Sequence, residues 1–351
     1  MAVITVSNLR KRFNLEAGFF ARFGRFVDAV RGLSFSINRN ENYGLVGESG
    51  CGKTTAARLL VRMYERDGGS IFFRDTIDVS ALKKKDLREY RQKVKYVFQD
   101  PARSLNPRMS AYEVLVSGYR WSPGAMRQEE MRGAEKGGEK RIRGHTRAWE
   151  KQAREEAGAI LEEVGLSRED LEKRPAEFSG GQRQRISIAR GLLMKPDLLV
   201  CDEIVSALDV SIQGQILNLL LDLREKRDLS FLFIAHDLRV ASHFCDRIGV
   251  MYRGELMEEA PAAGLWKTGS HPYTRLLFSS APGLSASAGP QGETAPAPVP
   301  PAPSAPPEDG GEGEERCSFA GRCPIAAQQC FESRPPLRET GGGHKIRCFN
   351  V

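Results

Sequence analysis

The run Gly47-Glu48-Ser49-Gly50-Cys51-Gly52-Lys53-Thr54 limits what this chain can fold into more than any other stretch. It follows the strand-like YGLV and leads into the helical run TAARLLVRMY, so the pattern G-x-x-x-x-G-K-[ST] has the flanks it requires. Glycines in such a loop let backbone N–H groups turn inward around phosphate oxygens, and the helix start adds positive potential. Lys53 would reach the β- and γ-phosphates of a nucleotide. Thr54 would ligate Mg2+, with Thr55 beside it in the same phosphate-binding set. A chance Gly-rich turn is the bland alternative, and the strand and helix on either side weigh against it.

With 351 residues the chain has room for a nucleotide-binding domain of roughly 250 residues and an appendage. A composition 40% hydrophobic and 28% charged is that of a soluble globular protein. The longest apolar runs, LLV at 198–200 and ILNLLLDL at 216–223, fall well short of the roughly 20 residues of a spanning helix, so no transmembrane segment is expected. The N-terminus MAVITVSNLRKRF alternates like a strand and lacks the apolar core of a secretory signal, which predicts a cytoplasmic chain. A net charge of +7 and a pI near 9.0 fit attraction to nucleotide, anionic lipid or nucleic acid without choosing among them.

From Val3 to about Val250, short β-branched or apolar runs alternate with helical stretches. The strands are expected at ITV, YGLVG, SIFF, VKYVF, DLLVC, SFLFIA and IGVMY, which predicts an α/β class with a mostly parallel sheet covered by helices. Between Pro101 and Phe178 the alternation gives way to charged helical sequence, with Ala157, Ile160, Leu161 and Val164 at helical spacing. That stretch is read as a helical subdomain inserted at about 101–178. Arg127 to Arg147 has almost no apolar residues and is expected as a solvated loop or frayed helix. The Pro-, Gly- and acid-rich stretch 282–315 cannot bury a core and predicts a disordered linker. Residues 1–281 are therefore expected to form the nucleotide-binding domain and 316–351 a small Cys-containing module. No internal repeat is visible.

Leu198-Leu199-Val200-Cys201-Asp202-Glu203 is an apolar strand ending in two carboxylates. Asp202 would hold the metal shell and Glu203 would polarise an attacking water, which is what hydrolysis at a γ-phosphate needs. An exposed acidic pair at a strand end is the bland alternative. Ser179-Gly180-Gly181-Gln182, followed by RQRISIAR, is a second helix start able to present N–H groups to an anion, or else a simple helix cap.

The phosphate loop, Gln99, the SGGQ run and the Asp202-Glu203 pair, in that order, resemble the ABC ATPases, a family of P-loop NTPases with a RecA-like core. The resemblance implies ATP and Mg2+ as ligands and a head-to-tail dimer in which Ser179, Gly180, Gly181 and Gln182 of one subunit close on the ATP of the other. It further implies that Gln99, after VKYVF, contacts Mg2+ and that Asp209, in Ser206-Ala207-Leu208-Asp209, lies in the loop crossing the dimer interface. His236, after SFLFIA, would bond the γ-phosphate, so Glu203, His236 and Gln99 form the implied catalytic set. Phe13 is the candidate to stack on adenine, with a place in the core as its alternative.

The stretches FQDPARSLNPRM, EFSGGQRQRISIARGL, SALDVSIQGQILNLL and HPYTRLL, and the tail from Arg316, resemble the ATP-binding subunits of oligopeptide, dipeptide and nickel importers over nearly the whole chain. This implies hydrolysis of ATP to ADP and phosphate coupled to peptide uptake, by a peripheral subunit on the cytoplasmic side of the inner membrane. The implied partners are a second ATPase subunit (identical or paralogous), two transmembrane permease subunits and an external solute-binding protein, with no nucleic acid. Nickel or another small solute is the alternative cargo. A soluble ABC ATPase acting on nucleic acid or the ribosome is a rival of a different class, but such proteins usually carry two cassettes or long coiled-coil insertions. A cassette that binds ATP without hydrolysing it is the third reading. Ile204 leaves it open, because the family has Pro after the catalytic Glu and loss of a fixed φ would loosen Glu203. The segment GFFARFGRF at 18–26 also resembles this group, as a packed surface loop or a contact with membrane partner or lipid.

Seven cysteines in a chain expected to be cytoplasmic argue against a disulfide framework. Cys51, Cys201 and Cys245 are scattered, whereas Cys317, Cys323, Cys330 and Cys348 crowd a segment too small to bury much apolar surface, so some clip is expected there. The spacing lacks the C-x2-C pairs usual for structural zinc. Four cysteines suit a [4Fe–4S] cluster, and the resembling tail of the importer family is associated with such clusters. Zinc, and unliganded thiols or a disulfide, remain the alternatives.

Overall fold

The computed structural model describes residues 1–14, 26–119, 139–265, 269–279 and 316–351. In chain order its strands are β1 (Ala2–Asn14), β2 (Phe26–Asn38), β3 (Asn42–Val46), β4 (Gly68–Phe73), β5 (Ile77–Asp78), β6 (Val94–Val97), β7 (Leu198–Asp202), β8 (Ser230–Ala235), β9 (Arg247–Tyr252), β10 (Glu255–Pro261), β11 (Arg338–Gly341) and β12 (His344–Ile346). The helices are α1 (Lys53–Leu60), α2 (Lys84–Lys93), α3 (Pro101–Ser104), α4 (Ala111–Tyr119), α5 (Glu139–Glu163), α6 (Gly180–Leu192), α7 (Val210–Arg227), α8 (Leu238–Phe244), α9 (Pro272–Ser279) and α10 (Gln328–Glu332). The chain divides into two compact units, Met1–Ser80 with Leu232–Val351, and Ala81–Phe231.

The first unit holds an antiparallel sheet in the order β2-β1-β4-β5. In β2 the buried Leu33, Phe35 and Ile37 alternate with Ser34 and Ser36, the period of a strand with one face on a core. Its other strands run from β3, buried along its whole length, to β9 in parallel, then antiparallel to β10, β12 and β11. The sequence had placed ITV and SIFF in a mostly parallel sheet. They lie instead in β1 and β4, which pair antiparallel through Ile4↔Phe73 and Val6↔Ile71.

Residues 316–351 correct a second expectation, that of a separate Cys module. They belong to the first unit: β12 hydrogen-bonds along β10, with Glu258 opposite Ile346 and Glu259 opposite Lys345. Phe319 is 1% exposed, and its ring stands 5.3 Å from those of both Tyr252 and Tyr273. Burial against the sheet supplies what the tail's small size denies it.

In the second unit β6 and β7 pair in parallel, Val94↔Leu198 to Val97↔Cys201. The described residues of 101–178 carry helices and loops and no strand. Ala153, Ala157, Ile160 and Leu161 of α5 are buried at the spacing of one helical face, and Val114, Leu115 and Val116 of α4 are buried as well. The Ala111 N–H donates to the Lys173 carbonyl at 2.8 Å and ties the start of α4 to the chain beyond α5. Residues 139–147 of the Arg-rich segment lie in α5; its part at 127–138, the linker at 282–315 and 18–25 of the Phe/Arg segment lie outside the described residues. No helix among the described residues is long and apolar enough to cross a membrane.

Candidate functional site

In the first unit, β3 ends at Val46 and the chain turns through 47–52 into α1. Gly52 has φ +106°, and a Cβ there would lie 2.0 Å from the Ala29 carbonyl oxygen, so only glycine fits. At Gly47 a Cβ would come within 2.1 Å of the Met251 carbonyl oxygen. The loop is braced from outside, with the Gly254 N–H donating to the Cys51 carbonyl at 2.8 Å. Lys53 is 3% exposed, and its ammonium donates to the carbonyls of Gly47 at 2.8 Å and Glu48 at 2.9 Å. No side chain caps α1 and no acidic residue stands in its first turn, so the helix keeps its positive end for an anion. Thr54 and Thr55 are half-buried in that first turn, while Ser49 and Gly50 are exposed at the loop tip.

Glu48 is held from the C-terminal part of the same unit. Its N–H donates to the Tyr273 hydroxyl at 3.0 Å, and its carboxylate takes both NH2 groups of Arg322, each at 2.9 Å. Neither partner was picked out from the sequence as a functional residue. Phe13 lies half-buried on β1, edge-on to Tyr64 at 5.3 Å, with the Lys11 ammonium 5.3 Å from its ring centroid. His236 is exposed directly after β8, and Asp237 next to it caps α8 by accepting from the Arg239 N–H at 2.8 Å.

In the second unit the two carboxylates at the end of β7 have distinct surroundings. Asp202 is 3% exposed and accepts from the Tyr96 hydroxyl at 2.5 Å. The chain then turns at Glu203, whose φ of +48° is left-handed, and its side chain accepts from the Gln99 amide at 2.8 Å. The Glu203 carbonyl takes the Ser206 N–H at 3.2 Å and the Ser206 hydroxyl at 2.8 Å. Ile204 and Val205 are 2% and 5% exposed. Buried side chains and Ser206 thus hold the turn in which a proline was missed. The parallel register β6–β7 brings Gln99 and Tyr96 beside the carboxylates, and Tyr96 went unremarked because a tyrosine in VKYVF reads as an ordinary strand residue.

Ser179 caps α6 reciprocally: its hydroxyl accepts from the Gln182 N–H at 3.3 Å and the Gln182 side chain accepts from the Ser179 N–H at 2.9 Å. Both cap residues are exposed. A Cβ on Gly181 would lie 2.8 Å from Ile212 in α7, so glycine also allows these helices to approach. Asp209 is exposed at the N-terminal cap of α7, next to Val210 at 84% exposure.

Cys317, Cys330 and Cys348 are linked by the bonds of the Cys317 N–H to the Cys330 carbonyl (3.0 Å) and of Asn350 to the sulfurs of Cys348 (3.4 Å) and Cys330 (3.9 Å). Yet among the described residues no group of three or more His, Cys, Asp or Glu is arranged to hold a metal ion. The expected [4Fe–4S] cluster, and zinc with it, therefore has no support in this geometry. Burial, with the neighbouring cysteines adding, pushes the Cys317 thiol up to about 11. All seven cysteines are free thiols.

Comparison with known proteins agrees with these features. Residues 30–206 match the ABC transporter family and residues 257–330 the oligopeptide/dipeptide transporter C-terminal region. A probable peptide ABC transporter ATP-binding protein of Sinorhizobium fredii is 37% identical over 99% of this chain and 89% of its own length. The oligopeptide transport ATP-binding protein AppF of Bacillus subtilis is likewise 37% identical, over 99% of this chain and 96% of its own. Among solved structures, a dimeric ATP-binding cassette in a post-hydrolysis state with ADP and Pi bound superposes with a TM-score of 0.56 at 25% identity, covering 74% of this chain and 98% of that one. CbiO1 of Clostridium perfringens, part of an ABC transporter complex, shares the fold with a TM-score of 0.59 at 22% identity, over 75% of this chain and 90% of that one. A phosphate loop with its lysine buried, an acidic strand end and family likeness along almost the entire chain lead to one conclusion: the protein belongs to the ABC transporter family, as one of its ATP-hydrolysing ATP-binding subunits.

Proposed function

We propose that this chain drives the uptake of peptides, as the ATP-hydrolysing subunit of an importer on the cytoplasmic face of the membrane. One observation carries the reading: the loop at 47–54 and a match to the oligopeptide/dipeptide transporter C-terminal region at 257–330 occur in the same chain. Relatives named for peptide and oligopeptide transport, matched over nearly their full lengths, support the same cargo.

The side chains of each unit suggest its share of the work. In the first unit the N–H groups of 47–54 and the Lys53 ammonium bind the phosphates, Phe13 stacks on adenine and His236 bonds the γ-phosphate. Thr54, Gln99 and Asp202 would hold Mg2+, which when bound neutralises charge on the phosphate oxygens. The burial of Asp202 fits a carboxylate whose charge is balanced by a cation. Glu203, its carboxylate steadied by Gln99, orients a water and takes its proton as the water oxygen bonds to the γ-phosphorus and the bond to ADP breaks. The exposed helix start at Ser179–Gln182, with Asp209 and the exposed Val210 at the start of the adjacent α7, suits contact with a second ATPase subunit, identical or paralogous. Residues 1–281 form the ATPase domain and 282–315 a linker, and the helical insertion at 101–178 passes motion to two permease subunits that an external solute-binding protein supplies. A [4Fe–4S] cluster on the four tail cysteines is the finer reading of that segment and rests on donor chemistry alone. Iron and acid-labile sulfide, both absent from anaerobically purified protein, would remove it.

The deciding experiment is ATPase activity of the purified chain beside Glu203→Gln, with size exclusion in ATP. Wild type is expected to hydrolyse ATP, and the variant to lose roughly 100-fold or more in turnover while accumulating as an ATP-bound dimer. A wild-type chain that binds no ATP overturns the reading. Uptake of a labelled tripeptide by the assembled transporter, competed by peptides and not by nickel, tests the cargo.

A further inference from the structure

Glu48, the first variable residue of the phosphate loop, has both its amide and its carboxylate taken by residues far along the chain. The amide donates to Tyr273, a residue 0% exposed at the start of α9, and the carboxylate is forked by Arg322, which lies in the short turn Ala320–Arg322 between Cys317 and Cys323. A two-point Arg–carboxylate pair fixes direction as well as distance. The remaining group, the Glu48 carbonyl, faces inward and accepts from the Lys53 ammonium at 2.9 Å. Glu48 therefore bridges the C-terminal segment and the lysine of the loop.

The two outer partners are themselves anchored. The Tyr273 N–H donates to His271 Nδ1 at 3.0 Å, and the His271 N–H donates to the buried Glu258 carboxylate at 3.2 Å. Arg322 lies over two rings, 5.6 Å from the centroid of Tyr252 and 5.8 Å from that of Phe319. Its turn is closed onto the cysteines, with the Ala320 N–H donating to the Cys317 carbonyl at 3.1 Å and the Cys323 N–H to the Ala320 carbonyl at 3.2 Å.

We propose that Tyr273 and Arg322 are positioning residues for nucleotide binding: they hold Glu48, and with it the phosphate loop, in the conformation that receives the phosphates. The tail thereby sets the affinity of the ATP site. The inference rests on the proposed ATP site, and it adds that the C-terminal region acts on the site rather than only covering the sheet. Because coupling between two sites is reciprocal, nucleotide must in turn change the tail around Cys323.

The test compares wild type, Tyr273→Phe, Arg322→Gln, Arg322→Lys, Glu48→Gln and the double variant Glu48→Gln/Arg322→Gln, using a fluorescent ATP analogue for binding and steady-state kinetics for turnover. Tyr273→Phe and Arg322→Gln are expected to raise Kd and KM for nucleotide roughly three- to tenfold, with kcat within about twofold of wild type. Arg322→Lys should recover part of the loss, and the double variant should be no worse than the worse single one, since both remove the same contact. In wild type, Mg-ATP should also change the rate at which a maleimide labels Cys323, and Arg322→Gln should abolish that change. Unchanged Kd and KM in Tyr273→Phe and Arg322→Gln, strictly additive losses in the double, or a fall in kcat and thermal stability without a rise in KM each overturn the proposal. A wild type that binds no ATP is a separate failure, that of the ATP site itself.

Discussion

His271 is 1% exposed, and its imidazole accepts at Nδ1 from the Tyr273 N–H, so the ring must be neutral to make that bond. Burial, with the Arg347 cation adding, holds its pKa down at about 4 against the ordinary 6.5. The unfolded chain thus takes up the proton more readily than the folded one, and the contribution of this residue is fully present above the unfolded value and lost as pH falls from 6.5 toward 4. The whole effect is about 3 kcal/mol at most. Urea unfolding of wild type should show a lower midpoint at pH 5 than at pH 7, and the drop should shrink in His271→Asn. An equal drop in both proteins would mean that another group carries the acid sensitivity. At this scale the sequence was informative where chemistry depends on neighbours along the chain. The eight residues of the phosphate loop declare themselves by spacing, and so do Asp202 and Glu203. The partners of Glu48 were hidden because Tyr273 and Arg322 lie 225 and 274 residues away, and no local pattern encodes such a bond. HPYTRLL was noticed as a likeness only; the structure supplies its physical content.

The start of α6 shows how one short pattern does two things. S-G-G-Q reads in sequence as an anion-binding helix start or a simple cap, and the structure forms both reciprocal bonds of a capping box there. Ser179→Ala removes the acceptor for the Gln182 N–H and should lower stability by about 1 kcal/mol in urea titrations. If Ser179 also serves a nucleotide on a second subunit, ATP-driven dimerisation, followed by size exclusion in the Glu203→Gln background, should weaken by more than that loss of stability explains. Equal weakening leaves the residue a cap and nothing else. The strands were legible in proportion to their apolar content: β3, β7 and β8 are buried at every residue and were all anticipated. β10 escaped because ELMEEAP looks solvent-facing, yet Glu255, Glu258 and Glu259 are all at most 1% exposed. Arg334 pairs with Glu255, His344 with Glu258, and Lys345 with Glu259, so the three glutamates that make the segment look solvent-facing are each met by a side chain from the tail. The antiparallel pairing of β1 and β4 was missed for another reason, since an apolar run carries no mark of its partner's direction.

At the scale of the molecule the tail is the piece whose role changed most. Sequence reasoning treated residues 316–351 as too small to stand without a clip, which is sound for an isolated segment. What it could not contain is that β10 offers an open edge and three buried carboxylates as a docking face. The tail answers with the β12 ladder, with Phe319 packed against Tyr252 and Tyr273, and with basic partners for each glutamate. A chain ending at residue 315 should therefore fail in a specific way. Glu255 would lose Arg334, Glu258 would lose His344 and Glu259 would lose Lys345; because Glu258 keeps the N–H groups of Ser270 and His271 and Glu259 keeps the Tyr43 hydroxyl, each loss costs about 1–3 kcal/mol. The freed edge of β10 would also be open to pairing with other chains. The expected outcome is a protein that melts well below wild type and aggregates, with fast amide exchange confined first to β10 and β9. Replacing the four tail cysteines with serine should leave that exchange pattern nearly intact, because the ladder, Phe319 and the ion pairs remain. If the cysteine variant instead exchanges like the truncated chain, the tail is held by its thiols or a group they bind, and the docking account given by β10 and β12 does not stand.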